Sequence, residues 1–125
     1  MSRRFFCRQT LFLLTLVSFA SLSHAANCDN AMSAADDAYT YARRGYSASD
    51  LDNLHYYARK AKNAAQDAYS YASSCGCYNA ASEADDSERY ARRAYNEEDF
   101  DYAQSYMRRA YRAAEDAMSY LSSCR

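Results

Sequence analysis

Ser73-Ser74-Cys75-Gly76-Cys77, near the middle of the chain, holds the end of one unit and the start of the next. Ser122-Ser123-Cys124 repeats its first three residues near the C-terminus, and Cys28 stands at the head of the earlier unit as Cys77 does at the head of the later one. Shifted by 49 residues, positions 28–75 align with 77–124 without a gap, with 26 identities in 48 positions. Ala35-Asp36-Asp37 matches Ala84-Asp85-Asp86, and Tyr41-Ala42-Arg43-Arg44 matches Tyr90-Ala91-Arg92-Arg93. A self-match of this quality marks a duplicated supersecondary unit.

Each unit reads as two helices. The chain has no proline, is rich in alanine, and places its apolar residues at helical spacing. In unit one the stripes are Ala31, Ala35, Ala38, Ala42, Gly45 and Leu54, Ala58, Ala61, Ala65, Ala68, Ala72, Cys75. Unit two repeats them with Ala80, Ala84, Ser87, Ala91, Ala94 and Ala103, Met107, Ala110, Ala114, Ala117, Leu121, Cys124. The alternation of four- and three-residue steps is that of a coiled-coil seam. Between the helices lie Gly45-Tyr46-Ser47 and Tyr95-Asn96. Ser47 and Asn96 are expected N-caps, each followed three residues later by an acid, Asp50 or Asp99.

A seam made of alanine resembles the close-packed antiparallel helix pairs called Alacoils. It buries little apolar area, so each pair needs further support. The shared tyrosines Tyr41, Tyr57, Tyr71 and Tyr90, Tyr106, Tyr120 flank the seams and are expected to fill the space between hairpins. Disulfides are the second support. An antiparallel hairpin brings Cys28 near Cys75 and Cys77 near Cys124, although four cysteines at one end allow three pairings. With only Gly76 between the units, the expected fold is all-α: two tandem disulfide-clasped hairpins packed as an up-down-up-down four-helix bundle with alanine-rich seams. The rival is a single rod merging the second and third helices, against which Gly76 argues.

The first 25 residues differ from the rest. Arg3, Arg4 and Arg8 precede an apolar run from Leu11 to Phe19 and the small-residue ending Ser23-His24-Ala25, the pattern of a cleaved secretory signal peptide. The run is shorter than the roughly 20 residues of a membrane span. Ser2-Arg3-Arg4-Phe5-Phe6-Cys7-Arg8 also resembles a twin-arginine export signal. Residues 26–125 then form one helical domain of two repeats, without a transmembrane segment. Removing residues 1–25 lowers Lys plus Arg from 15 to 12 against 16 acids, a net charge of −4. An acidic chain lacks the overall basic footprint of a nucleic-acid binder. Cys7 leaves with the leader, and the four remaining cysteines in an oxidising compartment point to disulfides rather than zinc.

No catalytic motif emerges and no cofactor is expected. His55 is the one histidine after residue 25, Gln104 stands at its place in unit two, and neither Glu-X-X-His nor Cys-X-X-Cys-His occurs. His55 reads as a boundary residue without a chemical role. Asp36, Asp37 and Asp67 fall at one height of a hairpin, as do Asp85, Asp86 and Asp116. They are the candidate ligands for a hard cation, although their heptad positions face outward. Arg43, Arg44, Arg59 and Arg92, Arg93, Arg108 are expected to make weak surface pairs nearer the other end. All 14 tyrosines lie beyond the leader. Those not shared by the repeats, Tyr39, Tyr56, Tyr69, Tyr78, Tyr102 and Tyr111, are the candidate recognition surface, since tyrosine offers broad contact at low entropic cost. The expected function is an exported, non-enzymatic helical interaction module of the bacterial envelope or secretome, its partner another protein or an envelope component. Metal or small-ligand sequestration by the acidic clusters is the alternative.

Overall fold

A computed structural model describes residues 28–124. The expected leader at 1–25 lies outside them. Four helices follow one another: α1 over 28–46, α2 Leu51–Ser74, α3 Tyr78–Asn96 and α4 Phe100–Ser123. No strand occurs among the described residues. Helices α2 and α3 pack side by side, as do α3 and α4, while α2 and α4 touch only across the diagonal. Tyr39 and Tyr46 of α1 meet Tyr111 of α4, which closes the ring.

The reversal at Gly76 shows why α2 and α3 do not merge. Gly76 has φ 80°, the left-handed region that only glycine enters freely. The Gly76 N–H donates to Ser73 O at 3.2 Å and the Cys77 N–H to Ala72 O at 2.9 Å, a Schellman ending that satisfies two late carbonyls of α2. This turn sets all four cysteines at one end. Cys28 is bonded to Cys75 and Cys77 to Cys124, with Cα separations of 5.4 and 6.0 Å. Each bond spans 47 positions, a loop worth about 4 kcal/mol in the chain-entropy account.

At the opposite end the caps differ from expectation. Ser47 and Asn96 do not cap; Asp50 and Asp99 do, accepting from the N–H groups of Asn53 at 2.8 Å and Tyr102 at 3.1 Å. Ser47 still continues the α1 pattern by donating to Arg43 O, and Asn96 is the last residue of α3. The chain needs the intervening residues to cross to the neighbouring axis. Asp52 and Asp101 in the first turns add favourable charge at the N-termini of α2 and α4.

The interior is alanine almost throughout. Every residue of the four expected stripes is buried except the cysteines at their ends, and Leu54, Met107 and Ser87 are the largest fully buried side chains. Ser87, on α3, donates its hydroxyl to Ala110 O of α4 at 2.9 Å, so its polarity is satisfied. Along the axis runs an interstice lined by Ala35, Ala38, Ala65, Ala68, Ala84, Ser87, Ala114 and Ala117, too narrow for a water molecule.

Close approach has a consequence for the tyrosines. Tyr41, Tyr57, Tyr90 and Tyr106 pack as half-buried residues, but Tyr71 and Tyr120 are exposed and do not fill the space between hairpins. They lie about one turn from the cysteines, where alanines such as Ala68, Ala72 and Ala117 bring the helices together and leave no slot for a ring.

Candidate functional site

The fold sorts charge along the bundle axis. Apart from Arg3, Arg4, Arg8 and Arg125, every Lys and Arg lies 12 to 16 positions along its helix from the cysteine at the clasped end. At 1.5 Å per residue this is a belt about 6 Å tall. Beneath it, six to eleven positions from the cysteines, lie Asp36, Asp37, Asp67, Glu83, Asp85, Asp86, Glu88, Glu115 and Asp116. Net charge alone conceals this banding, because the basic belt and the acidic band cancel in the sum.

Among the described residues, two ion pairs form. Arg89 meets Asp85 at 2.9 Å and Arg92 meets Glu88, both one turn apart on α3. Of the six repeated arginines expected to make surface pairs, only Arg92 does so; Arg43, Arg44, Arg59, Arg93 and Arg108 have no carboxylate within 4.0 Å among the described residues. Several cations instead lie over tyrosine rings. Lys60 Nζ is 5.5 Å from the Tyr41 centroid and 5.1 Å from that of Tyr56, and Arg109 lies 5.8 Å from Tyr90. Lys60 with Tyr41 and Arg109 with Tyr90 are the same pair in the two repeats, so this contact is part of the duplicated unit. Such contacts contribute roughly 0.5–1 kcal/mol at exposed sites.

The two seams between hairpins use the same positions differently. Between α1 and α4, Tyr111 stands edge-on to Tyr39 at 6.0 Å and to Tyr46 at 5.6 Å. Between α2 and α3 the equivalent places hold Lys62, Glu88 and Tyr95, with Lys62 Nζ 5.6 Å from the Tyr95 centroid. Tyr39 and Tyr111 are therefore half-buried seam residues, with the hydroxyl of Tyr39 reaching the surface beside Arg43. These two rings are grouped with the exposed ones in the sequence because the repeats do not share them, Glu88 and Lys62 standing at the equivalent places, and that criterion does not tell which helix stands beside which.

Tyr56, Tyr69, Tyr78 and Tyr102 are exposed, Tyr78 at 73% and Tyr102 at 66%. They do not form one cluster. Tyr56 and Tyr102 sit near the loop end and Tyr69 and Tyr78 in the clasped half. Tyr78 and Tyr120 line a shallow concavity of about 350 Å³ together with Gly76, Asn79, Ser123 and the Cys77–Cys124 bond. Tyr120 was not among the expected recognition residues, because its repetition as Tyr71 marked it as filler.

Asp36, Asp37, Asp67 and Asp116 are exposed, while Asp85 and Asp86 are half-buried and Asp85 is held by Arg89. Among the described residues, no three His, Cys, Asp or Glu side chains come together to hold a metal ion. The carboxylates do influence one another. Glu83 has its carboxyl raised above the ordinary glutamate range, first by partial burial and then by the charges of Asp116 and Asp86.

His55, expected as a boundary residue, makes a structural contact between the hairpins. Its Nε2 lies 2.7 Å from Glu97 O in the α3–α4 loop, and its ring is 5.8 Å from that of Tyr95. A carbonyl only accepts, so Nε2 carries the proton and donates. Comparison of the chain with protein-family models, with curated proteins and with solved structures gives no match. Its function therefore rests on its own residues. No described helix is long and apolar enough to cross a membrane.

Proposed function

We propose that the protein is an exported, non-enzymatic interaction module that presents a disulfide-clasped end of the bundle to another protein or to an envelope component. The observation that carries this reading is the placement of Tyr71, Tyr78 and Tyr120, all exposed, around the cysteines. Two disulfides fit a compartment outside the reducing cytoplasm. They also fix the helix ends, so rings mounted there lose little freedom on binding. Tyrosine suits such a surface, since its ring supplies contact area and its hydroxyl a hydrogen bond.

The test is affinity capture from envelope extract with the full chain and a Tyr71→Ser/Tyr78→Ser/Tyr120→Ser variant. The variant keeps both disulfides and the alanine core, so it folds. Loss of a specifically captured partner supports the reading; undiminished capture by the variant refutes it.

A further inference from the structure

We infer that the outward face of α1 formed by Tyr39, Thr40, Arg43, Arg44 and Ser47 is a binding site for a tetrahedral oxyanion, a phosphoryl or sulfuryl group. This inference goes beyond the tyrosine-mediated docking above, concerns the other half of the bundle and does not depend on it.

These five residues line an open concavity of about 300 Å³ within the basic belt. Thr40 and Arg44 are one turn apart, as are Arg43 and Ser47, so two guanidinium groups and two hydroxyls share one face. Tetrahedral oxyanions take this donor set well, because guanidinium forks give charge-assisted bonds and hydroxyls rotate to meet the remaining oxygens. Among the described residues, neither arginine has a carboxylate within 4.0 Å. Arg43 is also held in place: its Nη1 donates to the Tyr39 hydroxyl at 3.3 Å and its guanidinium lies 5.6 Å from the Tyr39 centroid. Tyr39 is fixed in turn by Tyr111.

The second repeat supplies an internal control. Arg92 and Arg93 replace Arg43 and Arg44, yet Glu88 stands in the place of Tyr39 and neutralises Arg92. Arg89 stands in the place of Thr40 and is taken by Asp85. In the second hairpin Glu88 thus commits Arg92, while in the first neither Arg43 nor Arg44 is committed to a carboxylate among the described residues. Tyr39 is the positioning residue on which this difference turns.

The full chain is titrated with inorganic phosphate, and separately with glycerol phosphate, at constant pH and ionic strength, following backbone amide shifts by NMR. Saturable shifts confined to residues 39–47, with the face of Arg89, Arg92, Arg93 and Asn96 silent, are expected. The arm that saturates at lower concentration tells a free ion from an esterified group. Tyr39→Glu, which copies the second repeat, is expected to weaken binding at least ~10-fold, and Arg43→Gln/Arg44→Gln to abolish it. Tyr39→Phe keeps the ring and removes the hydroxyl, and is expected to fall between wild type and Tyr39→Glu. Equal shifts on both arginine faces, absence of saturation, or unchanged binding in folded Tyr39→Glu overturns the proposal.

Discussion

His55 and Gln104 occupy the same place in the two repeats, and each reaches across to the opposite hairpin. The His55 Nε2–H donates to Glu97 O at 2.7 Å, while Gln104 Nε2 donates to Tyr46 O at 3.0 Å. Two different side chains therefore make one reciprocal brace at the end without disulfides. Gln104→Ala is expected to lower stability by about 1 kcal/mol, and His55→Ala similarly, since each leaves a half-buried carbonyl short of a donor. His55→Gln should restore most of the loss. Urea unfolding of the three variants measures this, and a silent Gln104→Ala would show the brace to be ornamental.

Met107 fills space that Gly45 leaves open. A Cβ at Gly45 would come within 2.8 Å of Met107 Cε and 3.3 Å of Tyr57 Cβ. At the repeat-related places stand Ala94 and Ala58, both fully buried, so a glycine facing a long side chain in one seam is replaced by two alanines in the other. Met107→Ala is expected to cost about 2–4 kcal/mol. Adding Gly45→Ala should recover part of that, giving a coupling above roughly 0.5 kcal/mol in a double-mutant cycle. Strict additivity would refute the contact.

Ala114 lines the dry interstice on the axis together with Ala38 and Ala65. Ala114→Leu is expected to destabilise by about 1–3 kcal/mol, because helices at alanine spacing must separate to admit it. Ser87→Ala should stay within about 1 kcal/mol of wild type: Ala38 already occupies the equivalent place, and no orphan donor remains. Thermal melts distinguish the two, and a stabilised Ala114→Leu would mean that the interstice is a fillable cavity.

Removing either disulfide by paired Cys→Ser substitution is expected to cost about 4 kcal/mol, a large share of the stability of a domain this size. The loss should appear in denaturant midpoints of the oxidised proteins and vanish when wild type and variant are compared in reductant. A difference that persists in reductant would assign it to packing of the serine side chains instead.

Glu83 makes stability depend on pH in a definite direction. Its folded-state carboxyl is raised by burial and by Asp116 and Asp86, so the protonated form favours the fold. Its contribution is complete below the unfolded glutamate value and is lost as pH rises through the raised folded value. Glu83→Gln is therefore expected to melt higher than wild type at pH 7 and at the same temperature near pH 3. A variant less stable than wild type at pH 7 would contradict the sign.

The architecture was legible because it is written twice. The 49-residue period, the alanine stripes and Gly76 together imply clasped hairpins, and each signal is local. The helix starts were misplaced by three residues because Ser47 and Asp50, like Asn96 and Asp99, both suit a cap, and the distance between axes decides which one serves. The binding features were less legible. The arginine belt follows from residue numbers only after alternate helices are reversed, and a chain-wide sum of charge erases it. The separation of Tyr39 and Tyr111 from Tyr78 and Tyr102 depends on which helix stands beside which, information that no single helix carries. Arg43 and Arg92 look identical in the alignment; what differs is the residue one turn earlier, Tyr39 or Glu88.

The unlike seams bear on how the two halves recognise each other. If hairpin one paired with its own copy, Tyr39 would stand opposite Lys62; if hairpin two did so, Glu88 would stand opposite Tyr111. In the native pairing, aromatic meets aromatic across one seam, and the acid and the amine share the other. The unlike seams therefore mark which hairpin faces which, although their positions are equivalent in the repeat. The single glycine joining them puts both seams under one register: sliding one hairpin along the other would break the Tyr39–Tyr111 and Lys62–Tyr95 contacts together.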